Sequence, residues 1–459
     1  MKTQALTLAA LLAAQPLSAH ANNNEALEQL RAEMRRLEQQ HQAQLRRMEE
    51  RINALQTEQA RREPLETRAE RPPAAGQPGS ALQRFNPQLS VILDGRYYDD
   101  SADGHGAAAI GEAAGFHTGH GNHGHAHGHD LAPGFSLGET EIAFSASVDP
   151  YFDASLYLGI SEDGDVAVEE AWAATRNLPA GLTLKGGKFL SGIGYNNSQH
   201  HHSWDFVDQN LAYRGLLGDH GLADTGLQLS WVPDWPWYTR FGVEALQGDH
   251  ESFGALEGHD EKSGPRLGTA FVKFSPNLGY EHALQIGLFA AYSRQHQEAH
   301  EHGGHHELLD GDAWLAGTDW VYRYDAPHAY GQGDFKLQAE YLYRDKDLRI
   351  VEADDPAELG ERHRARQDAF YLQGTYGIAP RWQLGARYSA LGLRNEVGDE
   401  DLNDSRRASL ALSFRPSEFS VLRLQLSRAK IATEHGDERF NQVFLQYQHS
   451  LGSHGAHSF

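Results

Sequence analysis

Leu422 to Ser427 reads LRLQLS, so Leu422, Leu424 and Leu426 alternate with Arg423, Gln425 and Ser427. Side chains of an extended strand point to opposite faces in turn, so one face here is wholly apolar and the other wholly polar. The same period of two recurs upstream. Gln383, Arg387 and Ser389 alternate with Trp382, Leu384, Ala386, Tyr388 and Ala390, and Lys336, Gln338 and Glu340 with Phe335, Leu337, Ala339 and Tyr341. A soluble sandwich would turn the apolar face inward. Strands of about ten residues, a second face rich in Arg, Gln and Glu, and aromatics near the strand ends instead describe a barrel whose apolar face meets lipid. Trp231, Trp235, Trp237 and Tyr238 cluster at one such end, as an interfacial girdle would.

Counting such segments predicts sixteen strands, near 86–98, 135–147, 152–160, 166–175, 182–189, 222–231, 238–247, 267–274, 282–294, 312–324, 334–345, 367–376, 382–391, 406–414, 421–429 and 440–451. An even number closes an antiparallel barrel. The connections DPY, NLPAG, PDWPW, PNLGYE, APR and PSEF are short, and those between them mostly long. Short periplasmic turns with long outer loops orient such a barrel in its membrane. The expected fold is therefore all-β, a transmembrane antiparallel β-barrel over residues 85–459.

Ahead of the barrel the periodicity differs. Residues 1–21 carry Lys2, the apolar LTLAALLAA and an A-x-A site at Ala19-His20-Ala21, which predicts a cleaved secretory signal without a lipid-anchoring cysteine. Within residues 22–62, Leu27, Leu30, Met34, Leu37, His41, Leu45, Met48, Ile52 and Leu55 recur by threes and fours, a short α-helical coiled coil whose seam calls for partner chains. The step from His41 to Leu45 reads as a stutter. Residues 63–84 form a Pro- and Gly-rich linker.

Composition excludes several functions. The 459 residues carry a net charge of -23 and no cysteine. An acidic chain lacks the basic face that nucleic acid requires. With no thiolates, any transition-metal site must use imidazole and carboxylate, which suits zinc, copper or nickel. No nucleophile elbow and no HExxH motif appear, so an enzyme is not expected.

Histidine is where the sequence departs from an ordinary barrel. Phe116 to Asp130, FHTGHGNHGHAHGHD, sets His117, His120, His123, His125, His127 and His129 among glycines. In an extended backbone the last four share a face about 6 to 7 Å apart, close enough for neighbours to share an ion. The outward loops hold twenty of the 27 histidines, among them His302, His305 and His306 in the fifth loop, expected as a second collecting patch. The third outward connection, Leu190 to Gly221, is expected to fold into the lumen. It would bring His200, His201, His202, Asp205 and Asp208 to the constriction, near Lys185 or Lys188. Neutral imidazole ligates and imidazolium does not, so capture should weaken below roughly pH 6.

The barrel, the coiled coil and the closing strand QVFLQYQHSLG with a terminal Phe459 together resemble a bacterial outer-membrane porin, in which such a strand is read by the outer-membrane assembly machinery. The tail GSHGAHSF, beyond the strand, is a departure. A coiled coil before sixteen strands is similar to the phosphate-selective porin O/P group, whose members form trimers. That group's ladder of lumenal arginines and lysines is not matched by an acidic, His-rich chain. The closer resemblance is to the His-rich, zinc-regulated outer-membrane porins of Gram-negative bacteria. It implies a trimeric passive channel in the outer membrane, capturing zinc or a similar divalent ion at its outer loops and passing it to the periplasm. Two other readings stay open. One is a general or anion-selective porin with incidental metal-binding loops, and the other a structural tether between outer membrane and cell wall.

Overall fold

The computed structural model describes residues 88–116, 131–250, 253–256, 259, 262–302 and 305–452. The expected signal, coiled coil and linker, and the capture histidines 117 to 129, lie outside the described residues. The chain divides at Pro78, and everything below concerns the second unit.

Eighteen hydrogen-bonded strand segments form one antiparallel sheet that closes on itself. Two segments are short pieces of a neighbouring stave, which leaves sixteen staves as expected. The first half comprises β1 (Gln88–Asp100), β2 (Gly134–Leu137 and Thr140–Ser147), β3 (Phe152–Ile160), β4 (Val166–Thr175), β5 (Leu182–Leu190), β6 (Ala223–Trp231), β7 (Tyr238–Leu246) and β8 (Leu267–Ser275). The second comprises β9 (His282–His302), β10 (His305–Tyr324), β11 (Phe335–Ala353), β12 (Arg362–Ala379), β13 (Trp382–Val397), β14 (Ser405–Ser417, preceded by Glu400–Asp401), β15 (Ser420–Thr433) and β16 (Gly436–Gly452). Closure runs from Ser90 opposite Gly452 to Asp100 opposite Gln442. A closed ring leaves no strand edge unpaired, as a bilayer demands.

The alternation in LRLQLS decides the inside and the outside as its pattern requires. Leu422, Leu424 and Leu426 are 42, 42 and 54% exposed, whereas Arg423, Gln425 and Ser427 are at most 5% exposed. Apolar outside and polar inside reverses the order of a soluble protein and matches a lipid-facing wall.

One expectation about the upper rim needs correction. Beyond the expected ten-residue span, β9 and β10 run on for 21 and 20 residues. The fifth outward connection is thus a tall hairpin, not a loop. His296, His300, His302, His305 and His306 lie on its strands, with His302 opposite His305. Paired backbone satisfies its own polar groups, so a polar strand continues above the membrane without a loop's cost. The lumen is also less open than sixteen strands suggest. The first and third outward connections (L1 and L3) fold inward with short helices α1 (Gly106–Gly111) and α2 (Leu211–Leu217). Their Ile110, Phe116, Leu211 and Leu216 join Phe189, Phe271, Phe289, Leu315, Leu342 and Leu391 of the inner wall in one apolar cluster.

Candidate metal centre in the lumen

L3 is seated in the barrel by three sets of contacts. Asn197 clamps its base, donating through Nδ2 to the carbonyls of Ser191 and Leu222 at 2.9 and 3.0 Å and accepting from the Leu222 N–H at 2.7 Å. Glu340 of β11 receives the Tyr195 and Asn196 N–H groups at 3.2 and 2.7 Å and the Tyr213 hydroxyl at 2.7 Å. Asp205 accepts from Lys336 Nζ at 3.0 Å, and Asp208 pairs with Arg387 and, at 2.9 Å, with Arg407. Burial opposes the charge of both aspartates, but Lys336 holds the Asp205 carboxyl below its ordinary range, and Arg407 with Arg387 holds Asp208 at about 2.

This seating turns the run His200–His202 toward the other wall, where four glutamates wait. His200 Nε2 lies 2.7 Å from Glu170 Oε1, and its Nδ1 lies 3.2 Å from Glu169 Oε2 and 3.3 Å from Glu141 Oε2. His202 Nδ1 is 3.0 Å from the same Glu141 oxygen. The His200 ring stacks on Tyr157 with centroids 4.4 Å apart. Ligand atoms of Glu141, Glu169 and His200 fall within 4.8 Å of one another, as do those of Glu139, Glu169 and His201.

Two irregularities in the strands assemble these carboxylates. On β4, Glu170 pairs with Tyr157 of β3 and Val168 with the next residue of β3, Leu158, so Glu169 is bulged out of the ladder. Consecutive glutamates would otherwise face opposite ways, but the bulge lets both reach His200. On β2, the register against β1 slips by one residue between Leu137 and Glu141, at Gly138-Glu139. Glu139 then lies over Gly159 of β3, where a Cβ would stand 1.5 Å from its Oε1. Only glycine leaves that space.

The donor set fits a divalent transition ion. Burial disfavours charge on His200, yet hydrogen bonds to Glu141, Glu169 and Glu170 outweigh it and raise its pKa well above the ordinary value. A cation is therefore already favoured at this point, and an arriving metal ion would replace a proton. Burial instead pushes His201 down to about 4 despite the nearby Glu169, so its ring is neutral. Among the described residues its Nε2 has no hydrogen-bond partner, and neither does Oε1 of the fully buried Glu141. A buried polar atom without a partner calls for an explanation, and a bound ion is one that imidazole and carboxylate together can supply. Imidazole with carboxylate is the donor mix of zinc, copper or nickel rather than of calcium.

A cleft of about 850 Å³ gives access to the group. Glu139, Glu169, His200 and His201 line it, together with Lys188, Asp219, His220, Asp249 and His250. Leu131, which follows the His-rich stretch 117–130, lines it too. Of the expected site residues, His200, His201 and His202 come together here. Asp205 does not join them, being paired with Lys336, and the expected neighbour Lys185 sits over Trp172 and Phe189. The His306 N–H donates to Asp354 at 2.9 Å on the tall hairpin, apart from this cluster. The side chains of His302 and His305 are outside the described residues. Glu139, Glu141, Glu169 and Glu170 were not anticipated. The adjacent pair Glu169-Glu170, which a strict period of two would set on opposite faces, was their one signal.

No protein-family model matches the chain. Among solved structures, a loop-deletion form of OmpT, an outer membrane protein of Vibrio cholerae, superposes with a TM-score of 0.50 at 12% identity, covering 80% of this chain and 99% of that one. An anion-selective porin from Comamonas acidovorans gives 0.49 at 14% identity over 80% of this chain and 99% of its own. The fold is that of an outer-membrane barrel. An uncharacterized protein of Aquifex aeolicus (strain VF5) is 32% identical over 392 residues, spanning 82% of this chain and 80% of its own length. The chain belongs to the family of that Aquifex aeolicus protein.

Proposed function

We propose that this protein is an outer-membrane channel that admits zinc, or a similar divalent ion such as copper or nickel, through the His200–His202 cluster of its lumen. The observation that carries this reading is the convergence of His200, Glu141 and Glu169 within metal-ligand reach where L3 crosses the barrel. A wall of carboxylates facing imidazoles attracts cations and offers them ligands together. His117, His120, His123, His125, His127 and His129 would gather ions outside, and Leu131 joins their stretch to the cleft. His302, His305 and His306 would act as a collecting patch above it. In this reading the chain is a homotrimer, held by coiled coil and barrel, delivered to the outer membrane by the assembly machinery and surrounded by its lipid.

An anion-selective porin is the second reading, and Lys336, Arg387, Arg407 and Arg423 on the opposite wall favour it. Each of these is occupied in seating L3, however, Arg407 and Arg423 also donating to the carbonyls of Gln209 and Trp204. Planar-bilayer recordings separate the two. A cation-selective reversal potential, with zinc interrupting the current in the wild type and not in His200→Ala, supports the metal channel. Anion selectivity without a zinc effect refutes it.

A further inference from the structure

We infer that the cluster is two adjacent cation stations sharing Glu169, so that a second ion drives the first onward; the inference rests on the metal-channel reading above. Neighbouring histidines on one turn face different partners. His200 sits among Glu141, Glu169 and Glu170, and His201 faces Glu139 and Glu169. Glu169 is common to both groups. Among the described residues, Nε2 of His201 in one station and the fully buried Oε1 of Glu141 in the other have no hydrogen-bond partner. Both strand irregularities and Gly159 serve this doubling, because the bulge sets Glu169 between the histidines and the glycine makes room for Glu139.

Charge agrees with two ions. Once arriving ions displace the protons held by the cluster, four carboxylates with both imidazoles neutral balance two divalent cations. Four glutamates and two histidines are also the donors of carboxylate-bridged two-metal centres in helical bundles. A single tight site would hold its ion and stop conduction, whereas two ions on one bridging carboxylate repel each other, and binding becomes weak enough for release.

The test is the dwell time of zinc blocks in single channels of the full-length protein as zinc is raised on the outer side. With two stations, the second ion expels the first, and dwell times shorten toward about tenfold for each tenfold rise in zinc. His201→Asn and Gly159→Ala, which disable the Glu139 station, should leave blocks whose duration no longer depends on zinc. Current recorded without zinc shows that each variant has folded. Wild-type blocks of constant duration that His200→Ala removes would overturn the two-station arrangement and leave the channel reading intact. Concentration dependence that survives both His201→Asn and Gly159→Ala would also overturn it. No zinc block in the wild type would overturn both.

Discussion

Asp208→Asn tests whether an ion triad holds L3 in place. The change keeps the shape of the side chain and removes the negative charge between Arg387 and Arg407, whose side chains are 3 and 1% exposed. Leaving a buried charge without its partner costs about 3–5 kcal/mol. The interstrand ladder is untouched, and lifting L3 would rehydrate both arginines, so the cost falls on the seating of the loop. At about 1.4 kcal/mol per factor of ten, the seated-to-lifted ratio falls by about two to three and a half orders of magnitude. Single-channel recordings should show flicker between conductance levels and a weakened zinc block. Acid should do the same to the wild type. The Asp208 carboxyl is held below its ordinary value, at about 2, so its stabilisation is complete above about pH 4 and is lost as the pH falls toward 2. Flicker should thus begin in the wild type only in strong acid, and at neutral pH in the variant. Steady wild-type current and block in Asp208→Asn at pH 7 would refute the role given to the triad.

Three further outcomes follow from the same geometry. Asn197→Ala strips three hydrogen bonds from the base of L3 and leaves buried groups unpaired at about 1–3 kcal/mol each, which should raise open-channel noise; silence there would show the loop held elsewhere. Leu410→Lys places charge on a lipid-facing position that is 58% exposed, and urea unfolding in vesicles should show a loss of about 2–4 kcal/mol, whereas unchanged stability would remove that face from the hydrocarbon. Deleting residues 117 to 130 should lower the number of zinc ions bound at equilibrium while leaving the dwell time of each block unchanged; altered dwell times would place those histidines in the conduction path.

The barrel was legible because lipid imposes a rule on each residue. LRLQLS had to alternate, and every strand expected from that alternation exists. Strand ends above the membrane escape the rule. His296 to His306 read as a loop because polar residues dominate, although backbone pairing carries a polar strand equally well. Apolar residues such as Phe289, Leu315 and Leu342 lie inside because α1 and α2 cover them, and that packing depends on contacts remote in sequence. The half of the metal cluster on L3 was visible as HHH. Its carboxylate half is dispersed over β2 and β4 and joined by two register slips, which a strict period of two cannot express.

The order of residues in L3 explains how the cluster stays correctly aimed. Along HHHSWDFVD, residues 200 to 208, the histidines come first and the aspartates last. The inner wall is polarised in the complementary sense: Glu139, Glu141, Glu169 and Glu170 on β2 and β4, and Lys336, Arg387, Arg407 and Arg423 on β11, β13, β14 and β15. A reversed loop would set Asp205 and Asp208 against carboxylates and imidazole against guanidinium, and like charges meeting in a poorly hydrated lumen are strongly disfavoured. The basic wall is therefore the anchor of the loop, and the acidic wall, facing the histidines, is free to serve a cation.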